Sequence, residues 1–264
     1  MSMFCNQCEQ AANGVGCNIS GVCGKKPDVA ALQDHLLYGL KSLALYADKL
    51  GRNTEIDRFT IEGLFTTVTN VDFDAPRIGG LIKRCYELKE KAKRDVGVIS
   101  GPVADWKPAD DLAGMVTQGE AYDIKSLHVN EDIRSVIEIL TYGLKGMAAY
   151  MDHAMILGKT DGDVLAFFQK ALAATTDTKL GLMDFVGLSM ECGKQNLTVM
   201  GLLNNAHTDA YGHPVPTSVQ LGTKAGKAIL VTGHDLKMLE ELLKQTEGKG
   251  INIYTHGEML PAHG

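Results

Sequence analysis

The sequence predicts a mainly α-helical chain: an N-terminal cysteine loop, two three-helix bundles, then the start of a parallel α/β domain in βαβ order. Three observations carry this. Four of the six cysteines fall in FCNQCEQAANGVGCNISGVCGK, residues 4 to 25, a stretch too poor in apolar residues to make a core. After it, apolar residues recur with helical period, and Tyr38-Gly39-Leu40-Lys41 returns as Tyr142-Gly143-Leu144-Lys145. Near residue 213 the pattern changes to two short β-branched runs flanking an amphipathic helix. The expected segments are 1–27 for the cysteine loop, 28–212 for a duplicated helical domain and 213–264 for the beginning of an α/β domain.

Composition narrows the function classes. The 264 residues are 45% hydrophobic and 22% charged, which is globular composition. A net charge of −6 leaves no basic face for phosphates, so nucleic acid is not an expected partner. No apolar run approaches the ~20 residues that span a bilayer, so no membrane is expected either. The N-terminus lacks a basic segment followed by an apolar one, and a cytoplasmic setting is the default. Thiols stay reduced there, so clustered cysteines point to metal before disulfides.

In the loop, Cys5 and Cys8 are separated by two residues, eight residues lead to Cys17, and five more to Cys23. Four thiolates suffice for one tetrahedral zinc or one cubane iron–sulfur cluster. The wide second pair and the small residues Gly14, Gly16, Gly21 and Gly24 favour iron–sulfur, because backbone N–H groups can then approach cluster sulfurs. Zinc, and disulfides or free thiols, remain as alternatives. A metal centre would order a loop that burial could not. Cys85 and Cys192 lie in helical patterns and read as small core residues.

The first helix follows, PDVAALQDHLLYGLKSLALYADKLG, with Pro27 near its start and Gly51 just past its end. Further helices are expected around 55–69, 75–95, 130–157, 161–175 and 178–206, with a connection over 97–128 holding one short helix. At the offset of the repeated tetrapeptide, Leu36 matches Leu140, Ala44 matches Ala148, Tyr46 matches Tyr150 and Asp48 matches Asp152. A duplicated unit of about three helices accounts for this. The repeated tyrosines and glycines are explained by helix packing, with Gly allowing close approach.

Beyond the turn-rich HPVPTSVQLGTKAG, the run KAILVTG is a strand, HDLKMLEELLKQ a helix and INIYT a second strand. The crossover requires parallel strands. In parallel sheets ligands gather beyond the carboxyl ends of the strands. His234 leaves the end of the first strand and Glu258 the end of the second, so an imidazole and a carboxylate should share one rim, able to ligate iron or move protons. Capping of helices by Asp235 or His256 is the plainer explanation of the polar residues there. Two parallel strands do not make a stable domain, so this end reads as interrupted.

Taken together, FCNQCEQ…GC…GVCGK, the two YGLK segments, YGHPVPTSVQLG, ILVTGHDLKMLEELLKQTEGKG and YTHGEMLPA resemble the amino-terminal half of the hybrid cluster proteins, also called prismane proteins or hydroxylamine reductases. The resemblance runs from Met3 to Gly264. It implies a helical first domain of two three-helix bundles followed by α/β domains. It implies a 4Fe-4S cluster on Cys5, Cys8, Cys17 and Cys23 that relays electrons, and His234 and Glu258 as ligands of a second, hybrid iron–sulfur–oxygen cluster. The implied activity is reduction of hydroxylamine to ammonia, and of nitric oxide in some members, with a redox protein as electron donor. The family's remaining hybrid-cluster ligands lie on later segments that this chain does not contain, so activity of these residues alone is not expected. The contrasting reading is a non-enzymatic helical module that binds iron–sulfur or zinc.

Overall fold

The computed structural model describes residues 3–122 and 128–264. The chain is mainly α-helical with a small parallel sheet, and it divides into two compact units. One is built from Met1–Asp152 and Asp161–Val199, the other from His153–Thr160 and Met200–Gly264.

In the first unit, helix α1 (Pro27–Leu50) starts with proline at its first turn and stops at Gly51, whose φ of 79° a residue with a side chain rarely adopts. It is buried on nearly every side, because α2 (Thr54–Thr66), α3 (Ala75–Val96), α4 (Leu112–Glu120) and α6 (Gly162–Ala174) all pack on it. Asn53, Asp74, Asp111 and Asp161 cap α2, α3, α4 and α6 by accepting hydrogen bonds from backbone N–H groups of the first turn. Helix α4 is the short helix expected in the connection. It lies so close to α1 that a Cβ at Gly119 would stand 2.0 Å from the Ala31 carbonyl oxygen.

The connection also delivers Trp106, 3% exposed, into the core against α1. A Cβ at Gly39 would stand 2.6 Å from its ring, so the glycine of the repeated tetrapeptide makes room for this indole. Trp106 Nε1 donates to His35 Nε2 at 3.0 Å. Indole nitrogen can only donate, so His35 carries its proton on Nδ1 and donates it to the Met115 carbonyl at 2.8 Å. Burial holds the His35 pKa below the ordinary histidine value, with the Met115 bond opposing. Cys85 and Cys192 are buried core thiols, 0% and 4% exposed, and burial raises both pKa values, Cys192 to about 11.

Helix α5 (Glu131–Ile156) and helix α7 (Leu182–Tyr211) each contribute to both units. The helix expected over 178–206 is α7. It begins later because Asp184 accepts from Gly181 N–H, and it runs on until Gly212, at φ 87°. The second unit continues with β1 (Lys227–Thr232), α8 (Leu236–Thr246) and β2 (Ile251–His256), then a 3-10 stretch Gly257–His263. β1 and β2 are parallel, with Thr232 paired to His256. The sheet has only these two strands among the described residues, and Leu230 is 70% exposed.

Candidate metal centres

The cysteine loop is organised by its own backbone before any metal is considered. Cys5 and Cys17 form an antiparallel bridge, with Cys5 N–H donating to the Cys17 carbonyl at 3.0 Å and Cys17 N–H to the Cys5 carbonyl at 2.8 Å. Gly21 N–H donates to the Lys25 carbonyl at 2.8 Å, folding Cys23 back toward the bridge. A Cβ at Gly21 would stand 3.0 Å from Cys23 Sγ, so this position has no room for a side chain.

The result is one small cavity of about 20 Å³ whose wall includes Cys5, Cys8, Cys17 and Cys23, with Gln7, Gly21, Lys25 and Thr69. All six cysteines of the chain are free thiols. The donor set suits a thiolate-held centre: four cysteines line the cavity, with small residues beside them and no carboxylate. Among the described residues no three His, Cys, Asp or Glu side chains are close-set enough for a single ion, so what the thiols share is the cavity wall.

Helices hold this loop from outside. Tyr142 Oη donates to Asn6 Oδ1 at 2.6 Å, and Thr69 N–H donates to Gln7 Oε1 at 3.3 Å. Both residues between Cys5 and Cys8 are thus gripped, one by α5 and one by the turn after α2. Lys25, 1% exposed, donates from Nζ to Cys5 Sγ at 3.9 Å. Sequence reasoning missed these anchors. Tyr142 was visible as a member of the repeat, where the repeated tyrosines read as packing residues; nothing local marks Thr69 or Gln7.

A second cavity, of about 40 Å³, shares Cys5, Gln7 and Lys25 with the first. Its lining includes Tyr38, Lys41, Tyr142, Lys145, Asp34 and Glu138. Both tyrosine–lysine pairs of the repeat therefore face one chamber. Tyr38 stacks on Tyr122 at 3.9 Å between ring centroids.

In the second unit, His234 and Glu258 follow the paired residues Thr232 and His256 by two positions each, and their side chains meet, Nε2 of the imidazole on Oε2 of the carboxylate. Both are well exposed, 65% and 71% at the side chain. Asp235 caps α8, accepting from Met238 N–H at 3.0 Å, and its other oxygen lies 3.7 Å from His153 Nδ1. His256 Nδ1 pairs with Thr232 Oγ1 at 3.2 Å. Asp235 thus takes the plainer capping role, whereas His256 caps nothing through its side chain and pairs with Thr232; His234 and Glu258 meet each other.

Comparison with known proteins decides the family. The model of the Prismane/CO dehydrogenase family matches residues 3–264. The chain belongs to this family. It is 64% identical to a curated hydroxylamine reductase of Geobacter sulfurreducens, over 100% of this chain and 51% of that protein. It is 56% identical to one from Syntrophobacter fumaroxidans and 53% identical to one from Methanocella arvoryzae, each match covering 99% of this chain and 50% of the relative. The chain spans about half the length of the curated relatives it matches, along their N-terminal half.

Proposed function

We propose that Cys5, Cys8, Cys17 and Cys23 hold a 4Fe-4S cluster that relays electrons, in a protein that reduces hydroxylamine to ammonia, with nitric oxide as a second substrate. His234 and Glu258 are two ligands of the hybrid iron–sulfur–oxygen cluster, whose other ligands the family carries on later segments. The observation that carries this reading is the convergence of all four loop thiols on one cavity, in a chain so close to curated hydroxylamine reductases.

When bound, the two clusters supply electron transfer and a site for the N–O substrate. The chain's own residues do the rest. Tyr142 and Thr69 fix the turn between Cys5 and Cys8, which keeps the thiolates in register and limits rearrangement on electron transfer. Reduction of hydroxylamine consumes two electrons and two protons and releases ammonia and water. The electrons come from a redox donor protein. The imidazole of His234 and the carboxylate of Glu258, in contact with each other at the strand rim, can hand over protons whenever one is not engaged as a ligand.

The setting is cytoplasmic, where thiols stay reduced. Neither nucleic acid nor membrane belongs to this reading: the net charge is −6, and no described helix is long and apolar enough to cross a bilayer. The test is anaerobic. Reconstituted protein should bind about four irons and four sulfides at the loop, with the electron paramagnetic resonance of a reduced cubane. The full-length protein should oxidise a reduced dye in the presence of hydroxylamine. One tightly held zinc without sulfide, or no hydroxylamine-dependent oxidation, overturns the corresponding half of the proposal.

A further inference from the structure

The chamber lined by Cys5 and both tyrosine–lysine pairs buries more charge than helix packing calls for. Lys25, Lys41 and Lys145 line it and are 1%, 3% and 4% exposed. Lysine is almost never so buried unless paired, and an uncompensated buried ion costs several kcal/mol. Lys25 Nζ reaches Cys5 Sγ, and Lys145 Nζ donates to the Thr67 carbonyl at 3.3 Å and lies over the Tyr142 ring.

Two carboxylates, Asp34 and Glu138, share the chamber and offset two of the three charges. The remaining positive charge faces the thiol of Cys5, which favours the charged form of Lys145, as Asp34 does for both Lys41 and Lys145. Burial pulls both amines down to about 8, which still leaves them charged at neutral pH. The arrangement occurs twice over: Lys41 and Lys145, and Asp34 and Glu138, stand at the same offset as the repeated tyrosines. If packing alone set these positions, leucine or methionine would fill them at lower cost.

We propose that Lys25, Lys41 and Lys145 form a fixed positive cage that raises the reduction potential of the cluster held by the four cysteines. Lys25 acts through its hydrogen bond to Cys5 sulfur, and the other two act by Coulomb attraction across the chamber. This rests on the reading that the loop binds a cluster. The physical reason is that reduction adds one negative charge to the centre, so a nearby ammonium stabilises the reduced form more than the oxidised one. No bond is made or broken; the electron comes from the donor protein.

The experiment uses the protein purified anaerobically with the N-terminal cluster loaded. The midpoint potential of the N-terminal cluster is read by redox titration followed by electron paramagnetic resonance, with iron and sulfide counted on the same samples. Lys25→Met, Lys41→Met and Lys145→Met should each shift the potential downward, Lys25→Met most, and Lys25→Arg should restore part of that loss. Asp34→Asn and Glu138→Gln remove negative charge from the same chamber and should shift the potential upward. Lys159→Met, at a partly exposed surface position, should leave it in place. Opposite shifts from the two sets establish the cage. Unchanged potential in iron-replete lysine variants, or equal signs from both sets, overturns it. Where a lysine variant loads no iron, the carboxylate pair decides alone. A wild-type loop that holds no iron and sulfide refutes the cluster reading itself, and is told apart by the iron count.

Discussion

The two candidate centres are built to different degrees of completion. At the cysteine loop, the Tyr142 hydroxyl from α5 and the Thr69 backbone N–H from the turn after α2 hold Asn6 and Gln7 between two of the thiols, and the buried Lys25 donates to Cys5. At the strand rim, two side chains meet on the surface of a two-stranded sheet, and each is more than half exposed. The first site is enclosed by contacts up to 136 residues apart in sequence; the second is joined by strand register alone. A residue's weight should follow this difference. Substitutions around the loop should disturb metal and stability together, whereas those at the rim should disturb the second centre and its chemistry with little effect on stability.

The largest expected effect tests the incompleteness of the rim. Residues 1–264 should carry iron at the loop and give no hydroxylamine turnover, whereas a protein of the relatives' full length that contains them should give it. Two ligands cannot retain a multi-iron centre. An anaerobic dye assay of both forms, with iron per chain, makes the comparison, and similar turnover from the short form would erase it.

Next comes the loop itself. Cys17→Ser removes a sulfur that is 5% exposed and flanked by the bridge to Cys5. It should abolish cubane loading and lower hydrogen-exchange protection over residues 4–25, because a metal adds to the order that the Cys5–Cys17 backbone bridge already gives the loop. Glu258→Gln should leave iron loading at the loop unchanged. If both variants load iron equally well, the distinction between the two regions fails.

Stability should show the same contrast on a smaller scale. Gly39→Ala forces a Cβ into the Trp106 ring and should cost about 1–3 kcal/mol by overpacking. Leu230→Ala, on the exposed sheet face, should change stability by no more than about 0.5 kcal/mol. Denaturant unfolding of the two variants measures both.

The smallest effect is a pH dependence. The folded state holds His35 neutral between Trp106 and Met115, with its pKa lowered by burial. The unfolded chain takes up this proton once pH falls below about 6.5. Between that value and the lower folded pKa, the unfolded state binds more protons, so stability falls as pH falls. The His35 contribution is complete above pH ~6.5 and declines below it. His35→Gln should flatten that part of the profile, to be seen in melting temperatures across pH 5 to about 8. A mutant profile parallel to wild type would place the pH sensitivity elsewhere.

Much of the fold was legible because it is local. Pro27 and Gly51 mark the limits of α1, helical period marks the other long helices, and the change to β-branched runs marks β1 and β2. The partnership of His234 with Glu258 was legible for a related reason: parallel register carries equal steps past paired residues to one rim. The cysteine spacing likewise announced a shared thiol site. Tertiary structure alone decided what surrounds that site. Nothing near Asn6 indicates Tyr142, and nothing near Gly39 indicates that an indole from the connection will occupy its missing side chain. The YGLK repeat was plain in the sequence, yet helical period ranks a lysine on α1 or α5 as solvated. It became a buried charge only when both copies were folded onto one chamber beside Cys5. Backbone preference and hydrophobic period act over a few residues and can be read along the chain. The burial of a charge depends on every element packed around it, and those elements come from distant parts of the sequence.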